Sequence, residues 1–375
     1  MESKTFLDVF LDGINREELN AMELESILYS AREHGSSDIH LLSNLPPVFR
    51  VNGEIVLSEA QPLSEKDLQK MVQLVINDEQ SKILNKDLQL CFSINHKDFG
   101  RFRTSIYFRN GSPEMAIRMC NNDIMTRKEL GLPKTVNDLL QHPAGLILIT
   151  GPTGSGKTTT LNYMIDYINS TRSSKIITIE DPIEYVHEHK KGIIVQQELH
   201  TDVISFQAGL HHVLRQDPDV IAIGEMRNID TIATAMTAAE TGHLVIATLH
   251  TSSVAQTIER IIGIFPPGKQ QQIILQLASS LQGIIAQQLV PSVDKKHRLL
   301  AYELLVATPA VRNILRSNEG HQLYSILETG SKQGMCTMDS SLCTHYDRGE
   351  ISYDALMSRV VQQDQVRLRY NRSRV

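Results

Sequence analysis

Leu146-Ile147-Leu148-Ile149-Thr150 is a short apolar run that passes directly into Gly151-Pro152-Thr153-Gly154-Ser155-Gly156-Lys157-Thr158, and a helical pattern follows at residues 159–168. Strand, then G-x-x-x-x-G-K-[ST], then helix is the signature of a phosphate-binding P-loop. Glycines let the backbone curl so that its N–H groups, with the helix N-terminus behind them, face the phosphates. Lys157 reaches the β and γ phosphates, Thr158 holds Mg²⁺, and Thr159 lies in the first turn of the helix. A chance match in a chain of this length is on the order of one per cent. ATP with Mg²⁺ is therefore the expected ligand.

Downstream, short apolar strands alternate with helical patterns, at Ile176–Ile179, Ile193–Gln196, Val220–Ile223 and Leu244–Leu249. Near-continuous apolar strands between helices imply an α/β domain with a mainly parallel sheet covered on both faces. Ligands of such sheets sit at the carboxyl ends of the strands. Those ends deliver Glu180, Asp181 and Glu184 after one strand, Glu225 after another and His250 after a third, with His243 just ahead of that third strand. Carboxylates there orient an attacking water or bind Mg²⁺ partly through its water shell. Their alternative use is to cap the following helices. A neutral imidazole donates and accepts at once, which suits a group that senses a γ-phosphate. After about residue 266 the pattern turns mostly helical, through Lys269–Gln288, Thr308–Arg316 and Tyr353–Gln362, and predicts a C-terminal helical subdomain.

Upstream of the P-loop, helical spacing predicts two helices within residues 6–34, stopped at Gly13 and Gly35. Strand-like pieces follow at Ile39–Leu42 and Val48–Val51, with Asn52-Gly53 as a hairpin turn into Ile55-Val56. One amphipathic helix capped by Ser64 is expected over Leu63–Leu84, then strands at Leu90–Asn95, Arg101–Arg109 and Glu114–Met119. Residues 1–120 thus read as a small N-terminal α/β domain. Residues 121–136 mix Asn, Arg, Lys, Gly and Pro without periodicity and read as a linker, leaving 137–375 to the P-loop domain.

Composition bounds the rest. A chain of 375 residues allows two or three domains and a sizeable core. Its 37 basic and 43 acidic residues leave a net charge of −6, so nothing global draws it to nucleic acid or an anionic membrane. Four cysteines without a C-x-x-C pair read as reduced thiols. No apolar run approaches the roughly 18 residues of a membrane span, and charged residues at Glu2, Lys4, Asp8 and Asp12 interrupt any signal-like segment. A cytoplasmic protein is expected.

The blocks GPTGSGKTTT (151–160), ITIEDPIEYVH (177–187), RQDPDVIAIGEMR (215–227) and TAAETGHLVIATLHT (237–251) resemble the secretion-ATPase superfamily, and within it the retraction ATPases of type IV pili. The resemblance extends to SDIHLLSNLPPVFRVNG (37–53) and TPAVRNILR (308–316). It implies a PAS-like N-terminal domain, a RecA-like ATPase core and a hexameric ring that drives twitching motility by withdrawing pili. Glu184 is then the water-orienting base, Glu225 the Walker B glutamate that shares Mg²⁺ with Thr158, and His243 and His250 the histidine box. Arg101, Arg103 and Arg118 stand where relatives supply arginines to a neighbouring subunit's ATP. The partners implied are a homohexamer, an inner-membrane pilus platform protein and a paralogous ATPase, with peripheral membrane association only and no nucleic acid.

Two departures stand out: Asn228 where relatives carry Asp after G-E-M-R, and His211 where they commonly carry Arg. Assembly-type members often have a four-cysteine metal loop, and its absence favours the retraction type. His187, His189 and the pair His211-His212 lack further ligands at a metal-site spacing. Two other functions stay open: an assembly or secretion ATPase of a related machine, and an accessory nucleotide-binding subunit of low turnover.

Overall fold

Two β-sheets carry the chain, and the computed structural model describes residues 24–51, 53–96, 100–120 and 123–371. The first of the two expected opening helices lies outside these residues. The chain divides into two compact units. Of the described residues, one holds those up to Asp123 together with Asp181–Val186 and Gln197–Ile204; the other holds Ile124–Glu180, His187–Gln196 and those from Ser205 onward.

In the first unit, helix α1 (Leu24–Glu33) buries Leu24, Ile27, Leu28 and Ala31, a stripe at helical spacing. Strands β1 (Ser36–Leu41), β2 (Val48–Val51) and β3 (Glu54–Leu57) precede helices α2 (Glu65–Val75) and α3 (Asp78–Asp87), and β4 (Gln89–His96), β5 (Gly100–Arg109) and β6 (Ser112–Met119) follow. They form one antiparallel sheet in the order β3-β2-β1-β6-β5-β4. Along β5, Phe102, Thr104 and Ile106 are fully buried, so by the two-residue period Arg101 and Arg103 share the opposite face. The single helix expected over Leu63–Leu84 is two helices. Ser64 caps the first, and Asn77 starts the second through a capping box with Gln80.

The second unit contains α4 (Lys134–Leu139), β7 (Gly145–Thr150), α5 (Lys157–Thr171), β8 (Lys175–Glu180), the start of β9 (Ile193–Glu198), α6 (Phe206–Val213), β10 (Val220–Ile223), α7 (Ile229–Glu240) and β11 (Leu244–Leu249). After α8 (Val254–Gly263) and α9 (Pro267–Ser280) the chain returns to the sheet as β12 (Leu281–Pro291) and β13 (Arg298–Val306). The sheet order is β13-β12-β7-β11-β10-β8-β9, with the pairs β12–β7, β7–β11, β11–β10 and β10–β8 parallel and β12–β13 antiparallel. All six residues of β7 and all six of β11 are buried, as their unbroken apolar runs require. Each fully buried Leu, Ile or Val there contributes about 1.5–3 kcal/mol to holding the rim in place.

The helix expected over Lys269–Gln288 is corrected here: it ends at Ser280, and the remainder is strand β12. Leu281 to Ala286 pair with β7 and Gly283 to Pro291 with β13, so the segment's backbone groups are satisfied by two neighbouring strands. The closing helical part therefore begins at α10 (Pro309–Arg316), not near residue 266, and continues through α11 (Leu323–Thr329), α12 (Met338–Asp347), α13 (Tyr353–Met357) and α14 (Gln363–Asn371).

Candidate active site at the rim of the seven-stranded sheet

The loop between β7 and α5 holds three glycines in positive-φ backbone, Gly151 at 149°, Gly154 at 77° and Gly156 at 89°. At Gly151 a Cβ would lie 2.4 Å from the Gln287 carbonyl and 2.5 Å from Ser155 Oγ, so no other residue fits there. Lys157 opens α5 and folds its ammonium back onto the loop, with Nζ donating to the carbonyls of Gly151 (2.8 Å) and Pro152 (3.0 Å). Burial pushes its pKa below the usual lysine value, against the opposing pull of the Glu225 carboxylate.

Strand order then assembles the site. β11 lies between β7 and β10, so its carboxyl end delivers His250 between Lys157 and Glu225. His250 Nδ1 is 3.5 Å from Lys157 Nζ, and His250 Nε2 is 2.8 Å from Glu225 Oε1. One neutral tautomer satisfies both contacts, because Nε2–H donates to the carboxylate while Nδ1 accepts from the ammonium. Glu225 also receives Arg227 Nε at 2.9 Å. Burial works to raise the Glu225 pKa, and the hydrogen bonds from Arg227 and His250 outweigh it, holding the carboxyl below its ordinary range. A further set of hydroxyls joins the loop to the segment after His250: Thr257 Oγ1 meets Thr251 Oγ1 at 2.7 Å and Thr150 Oγ1 at 3.4 Å.

The residues of the loop fit a triphosphate with Mg²⁺. Ser155 Oγ is buried with no hydrogen-bond partner, Gly151 leaves a cradle that a Cβ would fill, and the Lys157 ammonium is held on weak carbonyl acceptors beside it. Thr158, in the first turn of α5, and Glu225 supply the two oxygen donor types that Mg²⁺ uses beside phosphate and water. Among the described residues no three His, Cys, Asp or Glu side chains gather as a metal cluster.

Other expected site residues are placed differently. His243 precedes β11 while His250 follows it, so the six residues of the strand, roughly 20 Å of chain, separate the two. Its Nδ1 lies 3.0 Å from the Ala238 carbonyl near the end of α7. The nucleotide-binding role expected of His243 is corrected for its own chain's pocket; there it closes a helix end. Glu184 belongs to the first unit, where Arg103 Nη1 meets it at 3.1 Å. Arg118 donates from Nε to Asp38 at 2.8 Å. Arg101 is committed within its own chain: Nη2 pairs with Glu198 at 2.7 Å and Nε donates to the Ile183 carbonyl at 2.6 Å. Arg101 therefore starts from a buried pair within its own chain, where Arg103 and Arg118 start from more exposed ones. Glu180 is buried and accepts from Thr178 Oγ1 (2.7 Å) and Gln196 Nε2 (3.0 Å).

Sequence reasoning passed over Asn162 and Glu198, and weighed His187 only as a metal ligand. His187 Nε2 donates to Asn162 Oδ1 at 2.7 Å, and Asn162 Nδ2 donates to the Thr158 carbonyl at 2.9 Å, so the segment after Glu184 is tied to the first turn of the P-loop helix. Asn228, the departure after G-E-M-R, caps α7 by accepting from Thr231 N at 2.8 Å, a task Asn and Asp share. His211 lies exposed in the last turn of α6.

A profile of the type II/IV secretion system protein family matches residues 16–335. The chain belongs to this family. Among its curated members, the type IV pilus retraction ATPase PilT of Pseudomonas aeruginosa is 40% identical over 331 residues, 88% of this chain and 96% of that protein. The type IV pilus ATPase PilU of the same organism is 38% identical over 347 residues, 92% of this chain and 91% of that protein. Among solved members, a crystal structure of the pilus retraction motor PilT with bound ADP superposes with a TM-score of 0.85 at 42% identity, covering 92% of this chain and 98% of that one. Family membership accounts for both units, since the matched region runs from the N-terminal sheet through β13 and α10.

Proposed function

We propose that this chain is an ATP-hydrolysing motor of the pilus-retraction type, working as a homohexamer. The observation that carries the reading is the line Lys157–His250–Glu225 set across adjacent strand ends directly behind a P-loop. Lys157 and the loop N–H groups hold the phosphates, and Ser155 Oγ gains an acceptor there. Thr158 and Glu225 would hold Mg²⁺, which when bound would supply positive charge against the phosphoryl oxygens. Glu184 orients the attacking water as general base, for an in-line displacement without a covalent intermediate. His250 reports the γ-phosphate by exchanging its contact with Lys157, and through Glu225 passes that change along the rim. Arg103 and Arg118 complete a neighbouring subunit's pocket; an arginine that stabilises the transferring phosphoryl group is worth about 10³–10⁵ in rate.

Among the described residues no helix is long and apolar enough to cross a membrane, which suits a motor working from the cytoplasmic face on a membrane platform protein. Phosphate release by the purified chain, set against Lys157→Ala, tests the assignment: the variant should lose at least 10²-fold in turnover, and equal rates would remove the reading. Similarity to PilU is nearly as high as to PilT, so a partner role beside a paralogous ATPase is the second reading. Turnover by the isolated chain against a Glu225→Ala control separates the two. A deletion strain reads the direction of work: excess surface pili mark a retraction motor, and absent pili an assembly motor.

A further inference from the structure

Both backbone groups of Ile183, the residue before Glu184, are gripped by one buried ion pair. The Ile183 N–H donates to Glu198 Oε2 at 3.0 Å, and its carbonyl accepts from Arg101 Nε at 2.6 Å. Arg101 Nη2 closes the loop on the same Glu198 oxygen at 2.7 Å, with side chains 11% and 3% exposed. Glu198 is otherwise saturated: Ser93 N donates to Oε1 at 2.9 Å, Ser93 Oγ donates to Oε2, and Thr201 Oγ1 lies 3.3 Å from Oε1. Every acceptor position of the carboxylate is filled, the condition under which a buried pair is tolerated at all.

We infer that Arg101 and Glu198 are positioning residues for hydrolysis, forming a clamp that fixes the backbone at Ile183 and thereby aims Glu184. This rests on the reading of Glu184 as the water-orienting carboxylate. Among the described residues the Glu184 side chain has no comparable restraint: its pair with Arg103 is half-exposed, with side chains 39% and 30% accessible. Such a pair is weak and readily exchanged. The direction of the carboxylate therefore comes from its backbone, and the backbone is held one residue earlier. Arg101 and Arg103 divide the labour on one face of β5, the first holding the peptide and the second meeting the side chain. The geometry also explains why an arginine stands at position 101 and not a lysine. Only a guanidinium offers a carbonyl one donor and a carboxylate another in the same plane.

The test measures ATP turnover and ATP affinity for hexamers of the wild type, Glu184→Gln, Glu198→Gln, Arg101→Lys and the double variant Glu184→Gln/Glu198→Gln, with hydrogen exchange at the Ile183 amide. Glu198→Gln is nearly isosteric and guards against a simple failure to fold. In Glu198→Gln, kcat should fall about 10- to 100-fold, the scale of a small misplacement of a catalytic group. KM and ATP affinity should stay within about twofold, and exchange at Ile183 should accelerate while the P-loop helix stays protected. Arg101→Lys should behave alike, and the double variant should be no slower than Glu184→Gln alone. Wild-type kcat in Glu198→Gln, unchanged exchange at Ile183, a multiplicative loss in the double variant, or weakened ATP binding in Arg101→Lys would each overturn the clamp. Wild-type turnover in Glu184→Gln would instead overturn the role of Glu184 on which the clamp depends.

Discussion

The protonation of His187 is decided by its partner. Asn162 spends its amide N–H on the Thr158 carbonyl, which leaves Oδ1 as an acceptor and requires His187 to carry its proton on Nε2. Nδ1 is then a bare acceptor, buried and without a hydrogen bond, 3.9 Å from Asp166 Oδ1. Burial pushes the pKa down to about 4 from 6.5; the carboxylate of Asp166 pulls the other way and Lys190 adds to the fall. Because the folded value lies below the unfolded one, stability is complete above about pH 6.5 and declines as pH falls toward 4, where the unfolded chain binds a proton that the folded chain refuses. The full effect is on the order of 3 kcal/mol. His187→Gln keeps an N–H donor for Asn162 and removes the titration, so its urea midpoint should fall less than the wild type's between pH 6.5 and 4. Parallel curves would show that His187 is not the group responsible.

At the scale of elements, the P-loop and the helix caps make separate claims. Gly151→Ala would drive a Cβ into the Gln287 carbonyl and Ser155 Oγ, so the loop must open; ATP affinity should drop by at least 10-fold while circular dichroism keeps its helical content. Asn228→Ala removes the cap of α7 and should cost about 1 kcal/mol in the urea midpoint. Asn228→Asp should hold or gain up to about 1 kcal/mol, since a negative charge suits a helix N-terminus. The Ser64 cap was legible in sequence, and so were β7, β10 and β11, because fully buried parallel strands write themselves as unbroken apolar runs. The stretch after Ser280 was not. Leu281, Ile284, Ile285 and Leu289 keep the three- and four-residue spacing of the helix before them, and only pairing with β7 and β13 makes them a strand. The division of Leu63–Leu84 did have a local signal, Asn77 followed three residues later by Gln80. The site divides in the same way. Lys157, Glu225 and His250 follow from strand ends, whereas Arg101 and Glu198 stand 97 residues apart and no local pattern joins them.

For the whole molecule, the proposed division of the active site between subunits has a consequence that a single variant cannot expose. A ring of identical subunits uses heterologous interfaces, so each pocket would take its P-loop from one chain and its arginine from the next. Arg103 is held by Glu184 only through a half-exposed pair, and exchanging that partner for a neighbour's phosphates costs little. Lys157→Ala and Arg103→Ala should each leave homogeneous rings nearly idle. When the two are mixed in equal amounts and allowed to reassemble, an intact Lys157 faces an intact Arg103 at about one quarter of the interfaces, and turnover should recover toward that fraction if pockets fire independently. The double variant Lys157→Ala/Arg103→Ala, mixed with either single variant, provides the control: no interface in those mixtures combines both groups, and no recovery is expected. Recovery absent from the first mixture, with rings confirmed by light scattering, would place Arg103 in its own subunit's chemistry and remove the case for a pocket shared between chains.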